Sequence, residues 1–223
     1  MHKIISTILI LLIGTLFVKA QKKDFRTWYN LELEGELFNL VDFAISPEVR
    51  LWDNSTRVQS ILIKNTASVP LTKFFRLGLR YRYETDIVRD YYTKYIHRGT
   101  VFAEFDYRIQ RLRLSYRAKY LHEYTNIKRS ENGKTPEIQH RHRIGFRYRG
   151  KGWDIVPNVA AEMIFTIRPK WMSYQQALRL TAGFQYRLTK DININLRYRY
   201  QQEYYENNPL TSHIIITGIE YEL

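Results

Sequence analysis

The ten residues "FRLGLRYRYE" (75–84) decide how this chain folds. Leu77, Leu79, Tyr81 and Tyr83 share one parity, and Arg76, Arg80 and Arg82 share the other. A strand sends successive side chains to opposite faces, so this segment has one apolar face and one face carrying a file of guanidinium groups. A soluble sheet buries its apolar face and shows water a mixture of polar residues, not a column of one charge. The two faces must therefore meet unusual surroundings, and the rest of the chain says which.

The same alternation recurs along the sequence. "TWYNLELEGEL" sets Tyr29, Leu31, Leu33 and Leu37 against Asn30, Glu32, Glu34 and Glu36. "LRLSYRAKY" sets Leu112, Leu114, Tyr116, Ala118 and Tyr120 against Arg113, Ser115, Arg117 and Lys119. "RIGFRYR" opposes Ile144, Phe146 and Tyr148 to Arg143, Gly145 and Arg147. Further segments at 42–52, 101–107, 153–167, 177–187, 194–201 and 217–223 follow suit, whereas "TRVQSILIKNTAS" (56–68) alternates poorly. Segments of about ten residues with alternating hydrophobicity, separated by turns, are the mark of a transmembrane β-barrel.

The links are sorted by length. Tight links at 38–41, 108–111, 149–152 and 188–191 alternate with longer polar stretches near 85–95, 124–137, 168–175 and 202–211. Short turns at one end and long loops at the other characterise outer-membrane barrels, with the short turns periplasmic. The expected fold is an all-β, antiparallel transmembrane barrel of about 10–12 strands. The segments number about eleven, an odd count. Bacterial single-chain barrels use even counts, so either the segment near 56–67 is not a strand or a terminal piece does not complete the wall.

The start of the chain fits export. "MHKIISTILILLIGTLFVKAQ" has a basic beginning, an apolar stretch from Ile4 to Val18 and a small residue, Ala20, before Gln21, the layout of a cleaved signal. Read as a membrane anchor it is too short and too diluted by Ser6, Thr7, Gly14 and Thr15. Residues 1–20 are thus expected to be a signal peptide and 21–223 the barrel domain, in the cell outer membrane. The chain has no cysteine, so no disulfide can staple it.

A charged side chain facing lipid near the midplane costs roughly 2–4 kcal/mol, so the arginine faces must look inward. The expected lumenal charge network comprises Glu32, Glu34, Arg80, Glu104, Arg113, Arg117, Arg143, Arg147, Glu162, Arg179, Arg197 and Arg199, with Arg76, Glu48 and Glu123 as further members. Long ion-paired side chains would make this lumen a packed polar core rather than a wide channel. With 35 basic against 22 acidic residues and 15% aromatics, nucleic-acid binding also comes to mind. Single-strand binders, however, line one groove with both cations and stacking rings, and here the two classes lie on opposite faces. A soluble, lipocalin-like barrel would need the Tyr, Phe and Leu residues inside, where they are too bulky for one small interior.

Motifs for chemistry are sparse. There is no glycine-rich phosphate loop, paired-histidine protease helix or cysteine metal site, and no catalytic residue, metal or cofactor is expected. His97, His122, His140 and His142 fall next to the longer links, at the outer rim. His140 and His142 share a parity at two-residue spacing, which suits chelation, but that parity is the lipid-facing one; they read as interfacial residues beside lipid headgroups. Ser115 reads as a hydrogen-bonding filler.

The run "DF..W" (Asp24, Phe25, Trp28), "LELEGEL", "FFRLGLRYRY", "LRLSYRAKY", "HRHRIGFRYR", "TAGFQYRLTKDININLRYRYQ" and "IIITGIEYEL" resembles the uncharacterised domain of unknown function numbered twenty-four-ninety, common in Bacteroidota-like bacteria and regarded as outer-membrane barrels. The likeness spans nearly the whole chain after the signal. It carries no established activity, so no residue role transfers. Gly218, Tyr221 and Leu223 resemble the C-terminal signal of barrel assembly, with departures at Ile216 and in the final Leu. The partners implied are the lipid bilayer, lipopolysaccharide and the barrel-assembly machinery, with no nucleic acid. Three roles stand open: a structural or interaction barrel of the envelope, a narrow anion-preferring pore or carrier, and an outer-leaflet lipid-modifying enzyme.

Overall fold

The computed structural model of the chain describes residues 22–88, 92–126, 136–167, 173–204 and 209–223. The expected signal peptide, and most of the longer links, lie outside these residues. The described residues form eleven strands: β1 (Lys22–Leu37), β2 (Val41–Trp52), β3 (Arg57–Pro70), β4 (Phe75–Val88), β5 (Tyr92–Ile109), β6 (Leu112–Thr125), β7 (Glu137–Tyr148), β8 (Ile155–Ile167), β9 (Ser173–Arg187), β10 (Ile192–Glu203) and β11 (Leu210–Glu222). No helix occurs among them.

Each strand pairs antiparallel with its sequence neighbours, and β1 and β11 pair parallel to close the barrel. The first and last strands of an odd up-and-down meander run the same way, so closure demands a parallel seam. That seam runs in register from Lys22 opposite Leu210 to Glu34 opposite Glu222. The Leu223 amide adds a bond of 2.9 Å to the Glu34 carbonyl just past it. The odd tally is therefore real, and neither expected escape from it holds. Residues 57–70 are a full strand, and both termini complete the wall. The expected all-antiparallel wall is corrected at this one seam.

β3 alternates poorly in sequence because its exceptions lie on both faces. Leu62 points inward and is 2% exposed, while Asn65 points outward. A bulge where Arg50 pairs with Ser60 and Leu51 with Val58 leaves Gln59 as the extra residue, which also breaks the period.

Six of the links close tightly. Phe38 and Asn39 adopt φ of 57° and 52° in the β1–β2 turn, and Asp53, Asn54 and Ser55 adopt 53–62° in the β2–β3 turn. The stretch 85–95, expected as a long loop, is mostly strand: β4 runs to Val88 and β5 begins at Tyr92. Its alternating polar residues are lumenal, among them Asp86.

The outer surface is predominantly apolar. Leu79 is 61% exposed, with Val101, Ile144, Val159, Leu180 and Leu196 also exposed on neighbouring strands. Tyr107, Tyr148, Tyr186 and Tyr221 lie near the strand ends that carry the short turns. Tyrosines at strand ends with aliphatic residues between them reproduce an aromatic girdle around an apolar band.

Among the described residues, all ten buried apolar side chains point into the barrel: Trp28, Leu62, Ile96, Phe102, Leu121, Val156, Ile164, Ala177, Ile214 and Ile216. Phe102 lies across from Gly78 in the β4–β5 register. A Cβ on Gly78 would come within 2.2–2.8 Å of the Phe102 ring, so the glycine makes the space that the ring fills. Gly78→Ala should therefore destabilise the barrel by about 1–3 kcal/mol through overpacking. Combining it with Phe102→Leu should recover most of that loss, read as the midpoint of urea unfolding; strict additivity of the two changes would mean that they do not share the space.

Candidate functional site: the charged lumen

The inward parity of every strand carries the charges. On β4, Gly78, Arg82 and Glu84 are buried, while Leu77, Leu79 and Tyr81 are exposed. The residues expected in the lumen lie on this inner face, and many are joined there. Arg117 pairs with Glu104 at 2.5 Å, Arg113 with Asp106 at 2.7 Å and Arg179 with Glu162 at 3.2 Å. Lys119 reaches Glu162 from the other side at 3.7 Å. Arg76 pairs with Asp42 near the short-turn end.

A second network crosses five strands, β2 to β6. Arg50 donates to Glu48 at 2.6 Å and meets Glu84 at 3.5 Å; Lys64 shares Glu48 at 2.9 Å. Arg82 pairs with Glu84 at 2.6 Å and approaches Glu123, which is also bound by Arg98. Antiparallel registers put these groups side by side across the wall, as in Arg82 opposite Arg98 and Arg98 opposite Glu123. Ion pairing inside is what makes such a dense charge population tolerable in a narrow polar interior.

Other expected members have neutral partners. The Ser46 hydroxyl donates to Glu32 at 2.5 Å, Arg80 Nε donates to Thr66 at 2.8 Å, and Arg199 Nε donates to Thr181 at 3.2 Å. Arg143 is in register with Arg117 on one side and Glu162 on the other, and Arg147 with Arg113 and Asn158. Arg197 carries a buried Nε without a hydrogen-bond partner among the described residues. Glu34 lies at the more exposed, short-turn end of β1.

The charge is unevenly distributed around the wall. Arg113, Arg117, Lys119, Arg141, Arg143, Arg147, Arg179, Arg197 and Arg199 lie on β6–β10, with Glu162 at mid-height and Glu123 nearer the longer links among them. Glu32, Glu34, Glu36, Asp42, Glu48, Glu220 and Glu222 lie on β11, β1 and β2. A basic wall thus faces an acidic one across the lumen.

The alternation pattern does not announce the aromatic members of this interior. Trp28, 7% exposed, packs on Ile214 and Ile216. Arg50 stacks over its ring at 4.1 Å and Arg199 at 5.2 Å, a desolvated cation–π arrangement. Phe102 similarly takes Arg117 at 5.6 Å and Arg80 at 5.9 Å. Both rings share the parity of acidic neighbours on their own strands, Asp24 for Trp28 and Glu104 for Phe102, and that parity was the available signal.

The rim histidines face outward. His97 Nδ1 bonds the Tyr81 hydroxyl at 2.7 Å and His142 Nδ1 that of Tyr116 at 2.8 Å. His140 lies 3.1 Å from His142 and stacks on Phe165, and His122 meets the Tyr120 ring edge-on. His213, a fifth member that the reading of the sequence passed over, bonds Tyr198 at 2.7 Å. Paired imidazole and phenol groups at strand ends suit a water–lipid boundary. Among the described residues no three His, Asp or Glu side chains gather as a metal site. Ser115 donates to the Gly145 carbonyl at 3.4 Å.

Solved structures are similar to this chain. A porin described as "NanC porin structure in rhombohedral crystal form" is 15% identical and superposes with a TM-score of 0.56, covering 90% of this chain and 99% of that one. The KdgM porin (13% identity, TM-score 0.46) covers 82% of this chain and 98% of its own. The β domain of the Bordetella autotransporter BrkA (12% identity, TM-score 0.42) covers 78% of each. No curated protein sequence matches. The family model described as protein of unknown function (DUF2490) matches residues 25–211. The chain, a closed eleven-stranded barrel with a charged interior, belongs to that family.

Proposed function

We propose that this protein is an outer-membrane barrel whose lumen is a packed polar core, serving a structural or interaction role in the envelope rather than bulk solute flow. The observation that carries this is inverted polarity: exposed leucine, valine and tyrosine outside, ion pairs inside. Water would not sustain so continuous an apolar exterior on a monomeric soluble barrel, and lipid would. The end with the short turns is then periplasmic, and the histidine–tyrosine pairs stand at the outer leaflet. Trp28, Phe102, Ile214 and Ile216, each less than 9% exposed, fill part of that interior and support this reading.

The basic wall on β6–β10 favours a second reading, a narrow anion-preferring conduit, because a cationic lumen concentrates negative solutes. Bilayer recording separates the two. The refolded protein should show no large steps, and any residual current should prefer chloride over potassium. Replacing Arg113, Arg117 and Arg147 together with Gln should lower that preference. A stable, cation-selective conductance in the unmodified protein would refute both readings.

A further inference from the structure

The lumen holds a cavity of about 250 Å³ in the half nearer the longer links. Guanidinium groups of Arg50, Arg82, Arg98, Arg141, Arg179 and Arg199 line it. Three carboxylates, those of Glu84, Asp86 and Glu123, share the wall, leaving three positive charges in excess. Ion pairs outside the cavity do not remove that excess. Arg50 turns also to Glu48, and Arg179 to Glu162, but each of these acids serves a lysine as well, Lys64 and Lys119 respectively.

Two of the arginines have no carboxylate within ion-pair distance among the described residues. Arg141 gives Nε and a terminal nitrogen to the single Gln139 Oε1, at 3.1 and 2.7 Å. Arg199 has Thr181 and the face of Trp28. Donors in the same wall are also idle: among the described residues Trp28 Nε1 and Arg82 Nε are buried without a hydrogen-bond partner, in residues 7% and 9% exposed. Buried charge in excess and buried donors without acceptors are both unfavourable. A ligand that brings negative charge corrects the first.

We infer that this cavity is a binding site for a compact oxyanion carrying two or three negative charges, of the phosphate or small polycarboxylate class. The volume equals that of roughly eight waters, enough for such an anion and too little for an extended chain. Arg141 and Arg199, both in the cavity wall, supply the primary grip. The site needs the lumen of the proposed barrel but no flow through it, so it stands apart from the conductance question.

Calorimetric titration tests it. The refolded protein, in an uncharged phosphate-free detergent with chloride holding ionic strength constant, is titrated with inorganic phosphate and, separately, citrate. Saturable binding near one equivalent is expected for at least one of them. Arg141→Gln and Arg199→Gln should each weaken it roughly tenfold or more, as loss of one partner in a buried charge pair does. Arg108→Gln, on the exposed short-turn end of β5, should leave it unchanged. Heat-modifiable migration on gels reports that each variant is folded, independently of binding. Absence of saturable heat from a folded barrel would overturn the inference, as would equal affinity in all variants or displacement by chloride at matched ionic strength.

Discussion

Leu79→Arg is expected to block folding into phospholipid vesicles under conditions where the unmodified chain folds, whereas Arg80→Leu is expected to fold. The two residues are adjacent on β4 but face opposite solvents. Leu79 is 61% exposed on the outer wall, between Val101 on β5 and Ala67 on β3 in register. An arginine there must leave water for hydrocarbon, at roughly 2–4 kcal/mol near the midplane. Arg80 lies inside, bonded to Thr66, with no carboxylate within ion-pair distance among the described residues. Its loss frees one hydroxyl, at about 1 kcal/mol, and relieves repulsion with a lumen already rich in cations. Urea titration in vesicles should therefore place the Leu79→Arg midpoint well below that of Arg80→Leu. Equal losses for the two variants would mean that the faces are not distinguished by lipid at all.

That contrast rests on strand parity, the part of the structure written most plainly in the sequence. Alternation is a local property, and the lipid penalty enforces it on nearly every strand, so Arg80, Glu104, Arg117 and Arg179 could be placed inside from their neighbours alone. What could not be read locally is which inward residues meet. Glu162 on β8 joins Lys119 from β6 to Arg179 from β9, a meeting that depends on register and on the curvature of the closed wall. Apolar inward residues were harder still. Phe102, Leu121 and Leu62 break the expected polar file, and their places follow from partners elsewhere, such as Gly78 across from Phe102.

The strand count shows a different limit. Eleven segments were visible, yet evenness was the expectation for a closed antiparallel wall. Parallel closure leaves no local trace, because β1 and β11 present the same alternation whichever way their partner runs. Their inner faces do show the result: Trp28 is in register with Ile216 and Arg26 with Ile214. The departure at Ile216 from a polar residue thus has a cause, since its side chain packs on the indole at the seam. The link at 85–95 failed for a related reason. A polar stretch reads as loop when water is assumed outside, whereas in a barrel polar residues at alternate positions line the lumen.

Glu162→Gln should produce the largest stability loss among single lumenal substitutions. Glu162 is 9% exposed at the middle of β8. It meets Arg179 at 3.2 Å and Lys119 at 3.7 Å, and Arg143 is its register partner on β7. On the basic wall it is the carboxylate placed between these cations, so a neutral amide of the same shape keeps the packing and removes the charge. Breaking a buried pair leaves its partners uncompensated, at roughly 3–5 kcal/mol. Glu36→Gln, exposed on β1 near the short turn, should cost about 0–1 kcal/mol. Adding Lys119→Gln to Glu162→Gln should restore part of the loss, because one of the stranded cations is gone and the changes are coupled. Urea midpoints of the four proteins in one detergent decide the matter. If Glu162→Gln unfolds no earlier than Glu36→Gln, the lumen is hydrated enough to screen its charges, and ion pairing is not what holds the interior together.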